Sequence, residues 1–180
     1  MERLTDGTPN PKVWLRQLEP EDVHLLYDIE NDVSLWHLNE DPSPFSRIAV
    51  KNYLMTQPHN IFQSGELRLV VMETATNEAV GLVDLVNFSP TDSRAEVGIA
   101  LLGEKRSKGL GASALMALER YAKMFAHIRM LYAQVLAEGN PLAHRLFSGR
   151  GYKLVATLPQ WHSHDGKWVD IQIYQKMIGQ

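Results

Sequence analysis

The chain has no cysteine. That absence removes disulfides, thiolate nucleophiles, covalent cysteine intermediates and thiolate metal sites together. Long apolar runs are also missing: nothing approaches the roughly 18 residues that a bilayer-spanning helix needs. The start, Met1-Glu2-Arg3-Leu4-Thr5-Asp6-Gly7, lacks the apolar stretch of a secretion signal. A basic surplus is missing too, since 18 Lys and Arg stand against 21 Asp and Glu for a net charge of −3. Binding to nucleic acid or to an anionic membrane rests on such a surplus, so neither is expected. What is present is 180 residues, 44 % hydrophobic and 22 % charged. That is an ordinary globular composition at a length suited to one domain, expected in the cytoplasm, with residues 1–11 polar and loosely held.

Charge is unevenly spread. From Gln17 to Ser46 there is no Lys or Arg, yet Glu19, Glu21, Asp22, Asp28, Glu30, Asp32, Glu40 and Asp41 all fall there. The remainder holds 18 bases against 13 acids. A solvated acidic helix face is one reading of this stretch; a wall that receives a cationic ligand is the other.

Hydrophobic periodicity places the elements. Lys12–Leu18 alternates as a strand, and Pro20-Glu21-Asp22 opens a helix with proline and acids in its first turn. Asp41-Pro42-Ser43-Pro44 breaks the chain before a second helix carrying Ile48, Tyr53, Leu54 and Met55. Leu67–Glu73 and Ala79–Asn87 read as a hairpin, followed by a strand at Ala95–Leu102. A glycine-containing loop, Gly103–Gly109, feeds a long helix with Leu115, Leu118, Tyr121, Ala122 and Phe125 on one face. Met130–Ala137 is a strand, and Asn140-Pro141 starts a helix through Phe147. Tyr152–Thr157 and Trp168–Met177 close the chain as a pair about His164-Asp165-Gly166-Lys167, where Asp-Gly is a strong turn signal. The order β-α-α-β-β-β-α-β-α-β-β predicts an α/β (α+β) fold, a mixed sheet flanked by helices.

Arg106-Ser107-Lys108-Gly109-Leu110-Gly111-Ala112 lies between a strand and the long helix. Glycines permit close backbone approach, and the helix start presents free N–H groups, so an anion such as a pyrophosphate suits it. A plain strand-to-helix turn is the alternative. The Walker pattern fails, because Gly111 is followed by Ala112-Ser113 and not Lys-Ser/Thr. Gly109-Leu110-Gly111-Ala112-Ser113-Ala114 matches a dinucleotide fingerprint formally. Its six-residue approach is too long, however, and the next strand ends in Gln134 and Ala137 where a ribose-binding acid belongs.

Arg106-x-x-Gly109-x-Gly111 resembles the Gln/Arg-x-x-Gly-x-Gly/Ala signature of the GNAT N-acetyltransferase superfamily. The resemblance continues on both sides. Glu96-Val97-Gly98-Ile99-Ala100-Leu101 is similar to the strand before the signature. Asn140 and Ala143-His144-Arg145-Leu146-Phe147-x-x-x-Gly151-Tyr152 resemble the family's later helix and strand. Gly81-Leu82-Val83-Asp84-Leu85-Val86, Arg94-Ala95-Glu96 and the final hairpin are most similar to spermidine/spermine N-acetyltransferases, close to ribosomal-protein-alanine acetyltransferases.

The resemblance implies a GNAT fold, mostly antiparallel with a splayed parallel strand pair, and acetyl-CoA as co-substrate without a metal. Backbone groups of Ile99 and Leu101 would bond the pantetheine arm as an added strand does. Arg106, Ser107, Lys108, Gly109, Leu110, Gly111 and Ala112 would hold the pyrophosphate, and Asn140, Ala143 and Phe147 would meet the cofactor from the last helix. The reaction is direct attack of an amine on the thioester, with Glu96 as candidate base, directly or through water, or else an ion-pair partner of Arg94. Phe147 stands where the family carries a tyrosine that protonates the leaving thiolate. Tyr132, Tyr152 or water would then serve, or the protein binds acetyl-CoA without turnover. A polyamine acceptor asks for several carboxylates and no competing cation; Glu30, Asp32, Glu40, Asp41 and Asp84 are the candidates. A protein N-terminus or an aminoglycoside is the alternative acceptor, and homo-oligomers are usual in the family. His162-x-His164-Asp165 reads as a polar hairpin tip and not a metal site. Trp14, Trp36, Trp161 and Trp168 read as core or interface, with Trp36 and His37 near the substrate wall.

Overall fold

The computed structural model describes residues 3–36, 43–56, 60–164 and 166–179. The strands are β1 Leu4–Thr5, β2 Val13–Gln17, β3 Leu67–Glu73, β4 Ala79–Ser89, β5 Arg94–Leu101, β6 Met130–Leu136, β7 Lys153–His164 and β8 Lys167–Met177. The helices are α1 Val23–Glu30, α2 Arg47–Thr56, α3 Ile61–Ser64, α4 Leu110–Met124 and α5 Pro141–Gly149. All eight strands form one sheet in the order β1-β2-β3-β4-β5-β6-β8-β7. Every neighbouring pair is antiparallel except β5 and β6, which run parallel.

Helices cover both faces, so the central strands bury both sides. Along β3, Leu67, Leu69 and Val71 pack on one face while Val70 and Met72 pack on the other. The first core is built on α4, whose Leu110, Ala114, Leu115, Leu118 and Ala122 are at most 4 % exposed. That spacing is one stripe of a 3.6-residue helix. Each fully buried leucine there contributes about 1.5–3 kcal/mol. The second core lies under α1 and α2, around Leu26, Ile29, Val50, Leu54 and Leu82.

The expected elements are largely found, with differences that have physical causes. Leu4 pairs with Leu15, Arg3 lies over the Trp14 ring, and Ser113 Oγ donates to Asp6 Oδ2 at 2.6 Å. The amino-terminal segment expected to be loose therefore carries a short strand docked beside α4. On α2 the buried residues are Val50 and Leu54, while Ile48 and Met55 are 73 % and 66 % exposed. Phe125, placed on the buried face of α4 by periodicity, is 54 % exposed because the helix ends at Met124. Trp161 and Trp168 are 63 % and 69 % exposed and belong to no core. The one-turn α3, capped by Asn60 accepting from the Phe62 N–H, was not anticipated. No described helix is long and apolar enough to cross a membrane.

Candidate active site

β5 and β6 pair only at Arg94–Met130, Ala95–Leu131 and Glu96–Tyr132. Beyond Glu96 the two strands part. β5 continues against β4 up to Leu101, and β6 continues against β8 up to Leu136. A fork therefore opens in the middle of the sheet. Its mouth belongs to a cavity of about 580 Å³ lined by Val97, Gly98, Ile99 and Ala100 on one prong and Gln134, Val135 and Leu136 on the other. From this fork the cavity runs both ways. One end meets Asn140, Ala143 and Phe147 at the start of α5; the other reaches Glu30, Arg68, Asp84, Asn87 and Glu96.

Strand period explains the polar end. Asp84 is opposite Gly98 and Val86 is opposite Glu96, so Asp84, Glu96 and Gln134 share one sheet face. Gly98 leaves room there: a Cβ on it would come within 3.1 Å of Asp84. Glu96 stands at the vertex of the fork. Its Oε2 accepts from Asn87 Nδ2 at 2.9 Å and Gln134 Nε2 at 3.2 Å. Arg94, its possible ion-pair partner, turns instead to Asp92. Burial, and then the neighbouring Glu96 carboxylate, push the Tyr132 phenol up.

Glu30 and Asp84 are both present in the cavity, but not as free acids. Arg68 lies between them, donating from Nε to Asp84 Oδ1 at 2.8 Å and from Nη1 to Glu30 Oε1 at 2.6 Å. Its guanidinium also faces the Tyr53 ring at 5.7 Å. Burial works against the charge, yet the two carboxylates hold the guanidinium pKa above its ordinary value. The site therefore contains a competing cation, contrary to expectation. The hairpin register held the signal, since a turn at Thr74–Glu78 sets Arg68 opposite Asp84.

Asp32 lies elsewhere. Its carboxyl is held below the usual range by the Ser34 hydroxyl and by Arg106, whose Nη2 donates to it at 3.0 Å. With Asp22 paired to Arg16 at 2.6 Å, three acids of the basic-free stretch are met by bases from outside it. Much of the uneven charge is thus settled within the protein. Glu40, Asp41 and His37 lie outside the described residues.

At the glycine turn, Ser107 and Gly109 have φ of 62° and 79°. These left-handed residues turn the chain into α4 and leave its first N–H groups open to an anion. Lys12 Nζ donates to the Lys108 carbonyl at 3.3 Å. Ser107, Lys108 and Gly109 are exposed, Leu110 is buried, and Gly111 and Ala112 are half-buried. Arg106 does not extend over the turn. Its Nε donates to the Leu101 carbonyl at 2.9 Å while its other nitrogens reach Asp32 and Ser34, so it ties the turn to the end of β5.

On α5, Asn140 caps the helix by accepting from the Ala143 N–H at 3.2 Å, and both residues line the cavity. Phe147, 3 % exposed, also lines it; its ring meets Tyr152 edge-on at 5.1 Å and stacks on Tyr174 at 6.3 Å. Neither Tyr132 nor Tyr152 lines the cavity. Burial, then the Glu119 carboxylate, push the Tyr152 phenol far up, which makes it a poor proton donor. Leu35, not Trp36, lines the wall; the Trp36 indole donates to the Glu30 carbonyl at 2.9 Å. Sequence reasoning also missed Asn87, Gln134, Trp161 and His162 as lining residues. No group of three or more His, Asp or Glu able to hold a metal occurs among the described residues.

Comparison with known proteins agrees with this geometry. A spermidine N(1)-acetyltransferase from Vibrio cholerae is 24 % identical over 166 residues, covering 91 % of each chain. The crystal structure of spermidine N-acetyltransferase from V. cholerae in complex with CoA and spermine superposes with a TM-score of 0.82. It is 23 % identical and covers 93 % of this chain and 96 % of that one. A dodecameric structure of spermidine N-acetyltransferase from the same organism gives 0.77 at 24 % identity, covering 94 % and 95 %. Residues 12–151 match the acetyltransferase (GNAT) domain. With a forked parallel pair, a glycine turn into α4 and a capped α5 all in place, the chain belongs to the GNAT acetyltransferase family.

Proposed function

We propose that the protein transfers the acetyl group of acetyl-CoA to an amine of a small polycation, with spermidine as the first candidate. The observation that carries this reading is the cavity. It joins the fork and the α5 start, where a cofactor arm fits, to a face bearing three carboxylates and one guanidinium. Glu30, Asp84 and Glu96 against Arg68 leave a surplus of two negative charges, which suits an acceptor that keeps two ammonium groups while a third amine reacts. The similarity to a structure holding CoA and spermine supports the same assignment.

Acetyl-CoA, when bound, supplies an activated acetyl group. The residues of this chain hold it and prepare the amine. Backbone groups of Ile99 and Leu101 on the open prong extend the sheet to the pantetheine arm. The N–H groups from Ser107 to Ala112 receive the pyrophosphate, with Lys108 and Lys12 supplying positive charge and Arg106 fixing the turn. Asn140, Ala143 and Phe147 close the arm's other side. An amine of pKa about 10 is neutral only about one part in a thousand at pH 7, a cost of about 4 kcal/mol. Glu96 meets this amine at the vertex of the fork, accepting its N–H directly or through water, and Asp84 with Glu30 holds the remaining charge. The acid that follows the family pattern is absent at Phe147, so water protonates the leaving sulfur. The reading carries with it a cytoplasmic setting and a homo-oligomer. The oligomer is supported by the dodecameric relative and by Leu154 and Val155, 49 % and 52 % exposed on the edge strand β7.

Mass spectrometry of spermidine incubated with the protein and acetyl-CoA tests the reading. Acetylspermidine is the expected product. Tight acetyl-CoA binding with no acetylated amine of any kind would favour instead a non-catalytic binding protein, the reading that Phe147 supports.

A further inference from the structure

The β7–β8 hairpin is irregular immediately before His162. Pairing runs to Leu158–Ile171 and resumes at His162–Val169, so Pro159, Gln160 and Trp161 stand opposite Asp170 alone. The bulge is held in place: Gln160 has φ of 51°, and its N–H donates to Asp170 Oδ1 at 2.8 Å. Bulges are common next to active sites. Here the phase can be followed strand by strand. Glu96 pairs with Tyr132, Leu136 pairs with Ile171, and Val169 pairs with His162. Alternate residues share a face, so His162 lies on the same face as Glu96, Gln134 and Asp84.

His162 lines the cavity beside Trp161, and its Nε2 is buried without a hydrogen-bond partner among the described residues. A buried polar nitrogen left unpaired is costly, and a ligand in the cavity that bonds it removes that cost. His144 shows the contrast: its Nδ1 meets Tyr174 Oη at 3.0 Å and its Nε2 meets the Leu136 carbonyl at 2.8 Å. The ionisable groups that share the cavity with His162 are Glu30, Arg68, Asp84 and Glu96. On its own hairpin Asp170 is turned to the Gln160 N–H. Glu30 and Asp84 are taken up by Arg68, and Glu96 Oε2 by Asn87 and Gln134. Of the cavity-lining residues, His162 is the one with a buried side-chain atom that has no hydrogen-bond partner among the described residues, and its Nε2 offers a lone pair when the ring carries its proton on Nδ1.

We propose that His162 is a catalytic residue, the proton acceptor for the attacking amine, while Glu96 holds that amine at the fork; this rests on the acetyl-transfer reading above. An ammonium N–H bond breaks, its electron pair stays on nitrogen, and the proton bonds Nε2 to give imidazolium. The neutral amine then forms the bond to the acetyl carbon, and the C–S bond breaks with its electrons on sulfur. The second proton lost from the amide nitrogen passes through water to sulfur, and the imidazolium proton leaves to solvent at the mouth beside Trp161.

The test uses the full chain with acetyl-CoA and spermidine, as wild type, His162→Gln and His162→Ala. Both variants are expected to lose about 100-fold in kcat with acetyl-CoA affinity by calorimetry unchanged. Added imidazole is expected to restore part of the His162→Ala rate, and the acid limb of the kcat/KM profile is expected to disappear in His162→Gln. Independently of turnover, the His162 ring resonance, assigned by its loss in His162→Gln, is expected to shift when spermidine alone is added. A wild type that turns over spermidine and variants that match it, with no imidazole effect, would overturn the assignment and leave acetyl transfer standing. A wild type that acetylates no amine overturns the acetyl-transfer reading and the assignment together.

Discussion

Replacing Arg68 by Gln removes the one cation that lies between Glu30 and Asp84. Contacts of 2.8 Å to Asp84 and 2.6 Å to Glu30 are lost, and the side chains involved are 27 %, 16 % and 19 % exposed for Arg68, Asp84 and Glu30. Breaking a fully buried pair by removing one partner costs about 3–5 kcal/mol, and an exposed pair costs about 1 or less. These groups are closer to the buried case and two carboxylates are stranded at once, so the loss is set at about 3 kcal/mol. For a chain of this length each kcal/mol lowers the melting temperature by about 2–4 °C, giving a fall of about 6–12 °C. Arg68→Lys keeps the charge without the forked geometry and falls between the two. The acetyl-acceptor reading adds a second expectation: spermidine, whose ammonium groups can take the guanidinium's place, raises the melting temperature more in Arg68→Gln than in the wild type. Differential scanning fluorimetry at pH 7 with and without spermidine measures both. A fall under about 2 °C would refute the ledger, by showing that solvent already screens the three charges. An equal response to spermidine would refute the placement of the acceptor.

Gly111→Ala adds a methyl 3.6 Å from Leu101 Cδ1 and 3.7 Å from Ile99 Cδ1, an ordinary contact. The family signature admits alanine at this position, so the melting temperature is expected to stay within about 2 °C and the calorimetric Kd for acetyl-CoA within about twofold; a Kd raised about tenfold or more would show that the glycine itself is needed for backbone approach to the phosphates. Asp32 has a pKa lowered by Ser34 and Arg106, so its contribution to stability is present above the unfolded value near 3.8 and is lost as pH falls below it. Urea unfolding of Asp32→Ala is expected to show a deficit of about 1 kcal/mol or less at pH 7 that narrows as pH falls below about 4; a deficit that widens on acidification would contradict this. Phe147→Tyr restores a hydroxyl on a ring that lines the cavity, and stopped assays of thiol release are expected to show kcat rising by about 10-fold or more. No change would place sulfur protonation wholly with water.

Much of the fold is legible because hydrophobic periodicity reports one-dimensional burial. Leu67–Glu73 agrees residue for residue with β3, and Asn140-Pro141 marks the start of α5. The family motifs likewise fall on the turn into α4, at Gly109, and on α5, at Asn140, Ala143 and Phe147. Side-chain partnership is less legible. The run from Gln17 to Ser46 reads as an open acidic surface, yet Asp22 is matched by the nearby Arg16, and Glu30 and Asp32 are matched by Arg68 and Arg106 from distant segments. Only the register of β3 on β4 and the return of the glycine turn against the end of α1 bring the latter two pairs together. His162 is hidden for a different reason: alternation carried along β7 from Leu154 fails, because Val155 stands unpaired between Leu154–Tyr174 and Ala156–Ile173, and one extra residue resets which face the side chains take. The exposed Phe125 shows the limit of helical spacing, which continues as a pattern past the residue where the helix stops.

Release of CoA thiol from acetyl-CoA, measured with spermidine and spermine beside amino-terminal peptides and an aminoglycoside, tests the central claim most directly. Turnover is expected with the polyamines, fastest for the acceptor whose residual charge matches the surplus left by Glu30, Asp84, Glu96 and Arg68. Turnover confined to peptides would contradict it, reducing the acidic face to structure, and acetyl-CoA binding without any thiol release would contradict catalysis itself.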